Sequence, residues 1–447
     1  MIEVMSYAAA HPTGRVLLVI PARGGKTLVG ARLVLDMAVR NGLRALWIAH
    51  REELLDEAVA HLRNVGIAPS LIGVIKSKRS SSATAPVHVA SDATLERRRW
   101  PGAELIITDE SHLDTAPRRR KIRKAYPNAF LVGMTATPKP PPRRDLGEDY
   151  DTLMVVVQPS ELIQDGYLAA PIVFAPDKSA ALDLRGVRLM AGDYVAEELE
   201  PLLLRQEILD EQVGEWARLA EGRTTVAFPV TRAHSLALVA RLRAAGARAE
   251  HLDCDTPPME RKRIIAGLRS GDVQVGASVG VLSEGTNLPR VKCVLGVRPT
   301  CSLTLNIQQW TRCATPRENV RPRILDVVGN VYRHGFPSED RHWSLVNDES
   351  GLPIGASRGC VKRCGSCGAM SPRFAASCDN CSSTFPPSTP HYPTAPIAPL
   401  LLQEVTPPPD LFADERIRLV EYAKRRGFAR PEVWADEVLA KKYGGVG

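Results

Sequence analysis

Val16-Leu17-Leu18-Val19-Ile20-Pro21-Ala22-Arg23-Gly24-Gly25-Lys26-Thr27 is the stretch that decides the fold. Its five leading apolar residues have the length and character of a buried parallel strand, and proline and two glycines end it. Thr27–Arg40 then has helical spacing with charged residues outward. A Gly-rich turn between strand and helix aims backbone N–H groups at whatever sits on the helix N-terminus, and anions bind there. Lysine adds charge, and the threonine hydroxyl can ligate a divalent cation. Gly24, Gly25, Lys26 and Thr27 are therefore the candidate phosphate-loop residues. Ile20 stands where the full G-x-x-x-x-G-K-[ST] spacing has its first glycine, so the bland alternative is a turn followed by an incidental Lys-Thr.

The same alternation continues outward. Ala45–Ile48, Val87–Ala90, Leu105–Ile107 and Phe130–Val132 read as further buried strands, with Glu52–Asn64 as a helix. After about Leu168 it recurs: strands at Thr225–Phe228, Ala249–Leu252, Val273–Ala277, Cys293–Val297 and Arg323–Val327, helices at Ala233–Ala244, Met259–Arg269 and Leu303–Cys313. The fold class expected is α/β, with two tandem parallel-sheet domains spanning 1–157 and 158–350. A Cys-rich island (358–386), a Pro-rich linker (387–410) and a helical tail (411–447) follow.

A second motif, Leu105-Ile106-Ile107-Thr108-Asp109-Glu110-Ser111-His112, places two carboxylates at the carboxyl end of a strand, where open α/β sheets hold ligands. Asp109 suits Mg²⁺ together with Thr27, and Glu110 suits a base acting on water. Taken alone, such a pair is more often a helix-capping cluster. Some eighty residues after Lys26-Thr27 it reads as chemistry.

From Val16 to Leu345 the motifs and their order resemble the superfamily 2 DExD/H-box helicases, in the branch of phage-encoded helicases and restriction-enzyme motor subunits. The resemblance implies two RecA-like domains around an ATP cleft. It also implies a nucleic-acid-dependent ATPase. Ala49-His50-Arg51-Glu52-Glu53-Leu54 and Ala90-Ser91-Asp92-Ala93-Thr94-Leu95 resemble motifs that touch the nucleic-acid backbone, and Thr135-Ala136-Thr137-Pro138 the motif coupling hydrolysis to strand movement. His50, Arg51, Thr94, Thr135 and Thr137 are the residues so implied. Leu282-Ser283-Glu284-Gly285-Thr286-Asn287-Leu288-Pro289 resembles motif V, with Gly285 and Asn287 on the nucleotide. Gln308-Gln309-Trp310-Thr311-Arg312 resembles motif VI, with Arg312 as arginine finger. The chain departs from the family at Arg23, where glycine is usual, and at Thr311 and Thr315, where motif VI has Gly and a second Arg. A clear Gln-containing adenine motif is missing upstream of the phosphate loop. A degenerate motor that binds nucleic acid without efficient hydrolysis, and a motor subunit of a nuclease complex, are the alternatives.

Cys364-x₂-Cys367 and Cys378-x₂-Cys381 are two knuckles ten residues apart, the spacing of four thiolates around one tetrahedral, structural Zn²⁺. In so small an island the metal is expected to supply most of the folding free energy. Lys362, Arg363 and Arg373 suit a nucleic-acid contact. The tail from Gly427 to Tyr443 resembles the end of phage-type helicases carrying the same ribbon.

The 447 residues are 44% hydrophobic and 24% charged, with net charge +8, which suits a polyanionic partner. The basic run Arg118–Lys124 and Arg97–Arg99 are read either as a solvated helix face or as a phosphate-tracking wall beside the acidic pair. Aromatics are only 5%, which argues against stacking platforms. No apolar run approaches the ~20 residues of a membrane span, no secretory leader is evident, and clustered cysteines speak against a disulfide framework. The expected setting is a bacterial or phage-infected cytoplasm. Expected cofactors are ATP, Mg²⁺ and Zn²⁺. Expected partners are nucleic acid, DNA before RNA, with replication, recombination or nuclease proteins as further candidates and no membrane.

Overall fold

Runs of four to six residues, apolar at nearly every position, can bury both faces only if helices cover both sides. The computed structural model realises this twice. It describes the chain except residues 77–83, 98–99, 141–143, 178–181, 185, 283–287, 317–319, 347–350, 354–360, 373–374, 386–415, 417–418, 421–422, 425–429 and 444–447. The chain divides into two compact units, 1–387 and 388–447. Both sheets and the cysteine island lie in the first.

The first sheet is built from β1 (Arg15–Val19), β2 (Ala45–Ala49), β3 (Ile72–Ile75), β4 (Val87–Ser91), β5 (Leu105–Asp109), β6 (Phe130–Thr135) and β7 (Thr152–Val155). Their order is β3-β4-β2-β5-β6-β1-β7, every pair parallel. Alternate residues feed opposite cores: Val16, Leu18, Trp47, Ile107 and Val132 on one face, Leu17, Leu46, Ile48, Ile106 and Leu131 on the other. That is the period of two that a pleated strand imposes. Helix Glu52–Asn64 lays Leu54, Leu55, Ala58 and Leu62 against the first of these faces, with acids in its first turn and basic residues in its last, as its dipole favours. The predicted helix Thr27–Arg40 begins at Lys26 and loosens into a wider turn over Val34–Ala38.

The second sheet contains β8 (Ile172–Phe174), then, after a small hairpin β9 (Leu189–Met190) and β10 (Asp193–Tyr194), β11 (Thr225–Ala227), β12 (Ala249–Leu252), β13 (Val275–Ser278), β14 (Cys293–Gly296) and β15 (Arg323–Asp326). A two-stranded ribbon, β16 (Arg341–His342) with β17 (Leu352–Pro353), lies beyond it. The order β12-β13-β11-β14-β15-β8 is parallel throughout.

The cysteine island is not self-standing. Its strands β18 (Val361–Arg363) and β19 (Ala369–Pro372) continue the second sheet, β19 pairing antiparallel with β8. Ala369 joins the core face holding Phe174 and Leu325, and Met370 joins the face holding Val173 and Ile324. Sheet pairing and apolar burial therefore contribute to its folding beside any metal. That tempers the expectation that the metal supplies most of the free energy. Lys362 donates to the Ala375 carbonyl and lies over the Phe385 ring, and Arg363 pairs with Asp177, so both cations already serve the fold. Arg373 lies outside the described residues.

The basic run Arg118–Lys124 is in part the solvated face expected, with Arg118, Lys121 and Lys124 exposed, and in part built into the fold. Pro117–Lys124 is a helix several of whose cations turn back onto this chain. Arg119 is buried, donating to Asp114 at 2.6 Å and to the Asp109 carbonyl at 2.9 Å, with Asp92 at 3.4 Å. Arg120 and Arg123 both hold Asp149, and Arg118 holds Glu96. Asp114 also accepts from Thr108 at 2.8 Å and from Tyr150. With Arg119, Arg120 and Arg123 held on carboxylates, that side of the helix is no phosphate wall. It braces the loop after β5 instead. Of Arg97–Arg99, residues 98 and 99 lie outside the described residues. Arg119→Met should destabilise the fold by about 3–5 kcal/mol, because Asp92 and Asp114 lose a buried counter-charge. Urea unfolding should read that loss, and a midpoint equal to wild type would refute it.

In the second unit a helix spans Pro431–Tyr443, and Arg416 forms a two-pronged pair with Asp436. Among the described residues no helix is long and apolar enough to cross a membrane.

Candidate nucleotide site and cysteine centre

In sheet order β5, β6 and β1 are neighbours, so their carboxyl ends deliver three loops to one place: Val19 is level with Thr135, and Asp109 with Met134. The loop after β1 turns on its glycines. A side chain at Gly24 would meet Leu162 Cδ1 and the Pro21 carbonyl oxygen at 2.9 Å. Gly25 has φ +87° as it caps helix Lys26–Leu33. Lys26 Nζ sits 2.6 Å from Glu110 Oε1, a half-buried ion pair between the two motifs.

Asp109 is buried, with Oδ1 accepting from the Glu110 N–H at 2.9 Å. Burial pushes its carboxyl up to about 6, opposed by Lys26 and reinforced by Glu110. Glu110 has φ +51° and Arg23 φ +66°, so two non-glycine residues in loops of the first sheet hold the left-handed region at the cleft. Such conformations cost of order 1–3 kcal/mol and concentrate at functional sites. Glu110 Oε2 lies 3.4 Å from His112 Nδ1, and the same nitrogen is 3.2 Å from Thr135 Oγ1. His112 thus links the acidic loop to the end of β6, a role the sequence reading left unassigned.

The opposite wall comes from the second sheet. The predicted helix Leu303–Cys313 is regular to Trp310 and tightens over Thr311–Cys313. That turn carries Arg312, whose Nε donates to the Gln308 carbonyl at 3.3 Å. Val19 packs with Leu303, Ile307 and Trp343, an apolar contact between the two lobes. The resulting cavity of about 290 Å³ is lined by Gly25, Lys26, Thr27, Asp109 and Glu110 from one side and Gln308, Thr311 and Arg312 from the other.

This donor set fits a nucleotide phosphate with a divalent cation. A lysine and helix-capping amides face the same space as a threonine hydroxyl, and a buried carboxylate there, its pKa raised by burial, suits a divalent cation. Gly285 and Asn287 lie outside the described residues.

The residues implied for nucleic acid are less uniform. Arg51, following β2, donates to the Gly280 carbonyl at 3.3 Å, spanning from the first sheet's loops to the second's. His50 adjoins it. Thr94 lies on a single helical turn beyond β4, beside Asp92. Because β2 and β4 are paired neighbours, these three occupy adjacent strand ends. Thr135 and Thr137 are fully buried, and Thr135 Oγ1 accepts the Thr137 N–H at 3.1 Å. The pair expected at nucleic acid stands here within the loop behind His112.

A Ser–His–Asp row elsewhere invites a different chemistry. Ser235 Oγ is 2.7 Å from His251 Nδ1, and His251 Nε2 is 2.9 Å from Asp253 Oδ2. Ser235 has no exposed surface and also bonds the Ala277 carbonyl, so the row ties helix Arg232–Ala244 to β12 and β13.

In the island, the sulfurs of Cys364, Cys367, Cys378 and Cys381 all lie within 4.8 Å of one another. Cys364–Cys381 and Cys367–Cys378 are each 3.7 Å apart. A tetrahedron with Zn–S bonds of ~2.3 Å has edges of about 3.8 Å, so the four thiols fit that ion.

The chain is similar to known proteins over both lobes. Residues 2–140 match the family described as type III restriction enzyme, res subunit, and residues 205–316 the helicase conserved C-terminal domain. A 51.5 kDa protein of a Lactococcus phage (isolate 7-9) is 26% identical over 367 residues, covering 82% of this chain and 77% of that one. IRC3 of Saccharomyces cerevisiae, whose naming as an ATP-dependent helicase is itself provisional, is 27% identical over 321 residues. This chain spans only 46% of its length. Among solved structures, a fragment assigned as the HsdR subunit of a type I restriction enzyme from Vibrio vulnificus YJ016 aligns with TM-score 0.56 at 18% identity. It covers 74% of this chain and 64% of that one. The type ISP restriction-modification enzyme LlaBIII, bound to DNA, aligns with TM-score 0.52 at 14% identity over 72% of this chain and 26% of its own. At these identities the structural likeness is one of fold.

Proposed function

We propose, from the premise that this chain belongs to the superfamily 2 helicases, that it is a nucleic-acid-stimulated ATPase that translocates along DNA. The observation that carries this reading is the cleft lined from both sheets, with Lys26, Thr27, Asp109 and Glu110 facing Gln308, Thr311 and Arg312. A site split between two lobes makes their spacing depend on what fills it, which is what a motor needs.

Lys26 and the first amides of its helix would hold the β- and γ-phosphates, and Thr27 with Asp109 would hold Mg²⁺. The cation supplies charge to the phosphoryl oxygens. Glu110 orients a water and takes its proton. The His112–Thr135 contact fixes the loop that carries Glu110, so base and nucleotide pocket keep one register. Arg312 brings a guanidinium from the second lobe to the charge that develops on phosphate. The Lys26–Glu110 pair must part as Lys26 turns to phosphate, which frees the carboxylate for the water.

DNA is preferred to RNA because the matching family is named for restriction enzymes and one fold neighbour, LlaBIII, was solved bound to DNA. Backbone contacts carry little base information, so movement should be indifferent to sequence. ATP hydrolysis measured alone and with single-stranded DNA, duplex DNA and RNA tests this. DNA should raise the rate well above basal, and Lys26→Ala should abolish it. A rate unmoved by every nucleic acid would defeat the motor reading.

A further inference from the structure

The two departures in this cleft touch each other. Arg23 Nη1 donates to Thr315 Oγ1 across 292 residues, from the phosphate loop of the first lobe to the turn after Arg312 in the second. Thr315 is anchored from behind, its carbonyl accepting from the buried Lys292. Arg23 lines the same cavity as Lys26 and Arg312, its Nε is buried without a hydrogen-bond partner, and no described carboxylate forms an ion pair with it. A guanidinium has five donors in a rigid fork suited to phosphate oxygens, and here a neutral hydroxyl takes one of them. Burial, opposed by Cys313 and Glu57, lowers its pKa from the usual arginine value.

We infer that Arg23 is a two-position clasp: in the empty cleft it ties the lobes together through Thr315, and a nucleotide's phosphates compete for the same guanidinium. This rests on the ATP-site reading above. It makes the grip between the lobes and the grip on nucleotide mutually exclusive uses of one side chain. Closing the empty cleft and binding ATP are then thermodynamically opposed through Arg23, so each weakens the other by the same factor. The left-handed loop residue presents this side chain to both, which a glycine there would not do.

The proposal predicts effects of opposite sign. With Mg²⁺ and a non-hydrolysable ATP analogue as probe, Arg23→Gln should weaken binding roughly 10- to 100-fold, the loss of a charged hydrogen bond. Thr315→Val removes the competitor and should tighten binding by up to about 10- to 100-fold, the release of a hydrogen bond whose donor is charged. In the double variant the Thr315→Val gain should vanish, since it acts only through Arg23. Without nucleotide, both single variants should raise hydrogen exchange over residues 303–316 as the lobes part. Thr315→Val binding no tighter than wild type, or a gain that persists without Arg23, would overturn the clasp. Lys26→Ala separates the two ideas. If it abolishes binding while neither Arg23 nor Thr315 matters, only the clasp fails. If it leaves binding intact, the ATP site itself is wrong and the clasp falls with it.

Discussion

Glu110→Gln should cut ATP turnover by about 10²–10⁴-fold while nucleotide binding stays at least as tight as in wild type. The substitution keeps the shape of a side chain held at φ +51° and removes only its basicity. It also dissolves the 2.6 Å ion pair with Lys26, so the lysine reaches phosphate without first abandoning a partner. Turnover and affinity should therefore move apart, a signature that general damage to the loop would not give. Single-turnover hydrolysis with parallel equilibrium binding measures both. Equal turnover in variant and wild type would remove Glu110 from its role, and a matched loss of binding would make the carboxylate a structural prop.

The second large effect concerns the cysteines. Wild type should carry about one Zn²⁺ per chain, and the pair Cys364→Ser with Cys367→Ser should carry none. Because β19 is paired with β8 and Cys364 and Cys378 sit in the second sheet's core, the loss should spread beyond the island. The unfolding temperature should fall by about 5–10 °C, and chelation should reproduce the fall. Elemental analysis finding no zinc in freshly purified wild type would overturn the metal. A zinc-free double variant as stable as wild type would leave the metal and remove its coupling to the sheet.

What could be read from sequence was local. Helix Glu52–Asn64 announces itself because Leu54, Leu55, Ala58 and Leu62 mark one face, and the central strands because nothing in them needs water. The strands of the parallel arrays that went unread are β3, β7 and β8: two are edge strands with incomplete apolar runs, and one is three residues long. The acidic pair and the phosphate loop could be joined in advance because each sits on a strand with a recognisable outline.

Contacts made by distant chain segments could not be read. Arg119 reads as surface charge until Asp92 and Asp114 fold around it. Cysteine spacing gives the metal geometry and nothing of the sheet edge that receives it. Arg23 and Thr315 look like two separate blemishes, and only the closed cleft makes them one contact. The burial of Thr135 and Thr137 was hidden by likeness of motif, since a motif names residues without saying which way they face.

The pairing of β19 with β8 also sets a schedule for synthesis. Ile172–Phe174 leaves the ribosome roughly two hundred residues before the strand that covers it. At ~5–20 residues per second that edge stays open for about 10–40 s. An unpaired, apolar strand edge recruits other chains while it waits. Translation halted before residue 361 should therefore yield a nascent product dependent on chaperones, although both sheets have almost all their own strands by then. The last strands to emerge act as the stopper, and the time taken to reach them is when this protein is most prone to aggregate.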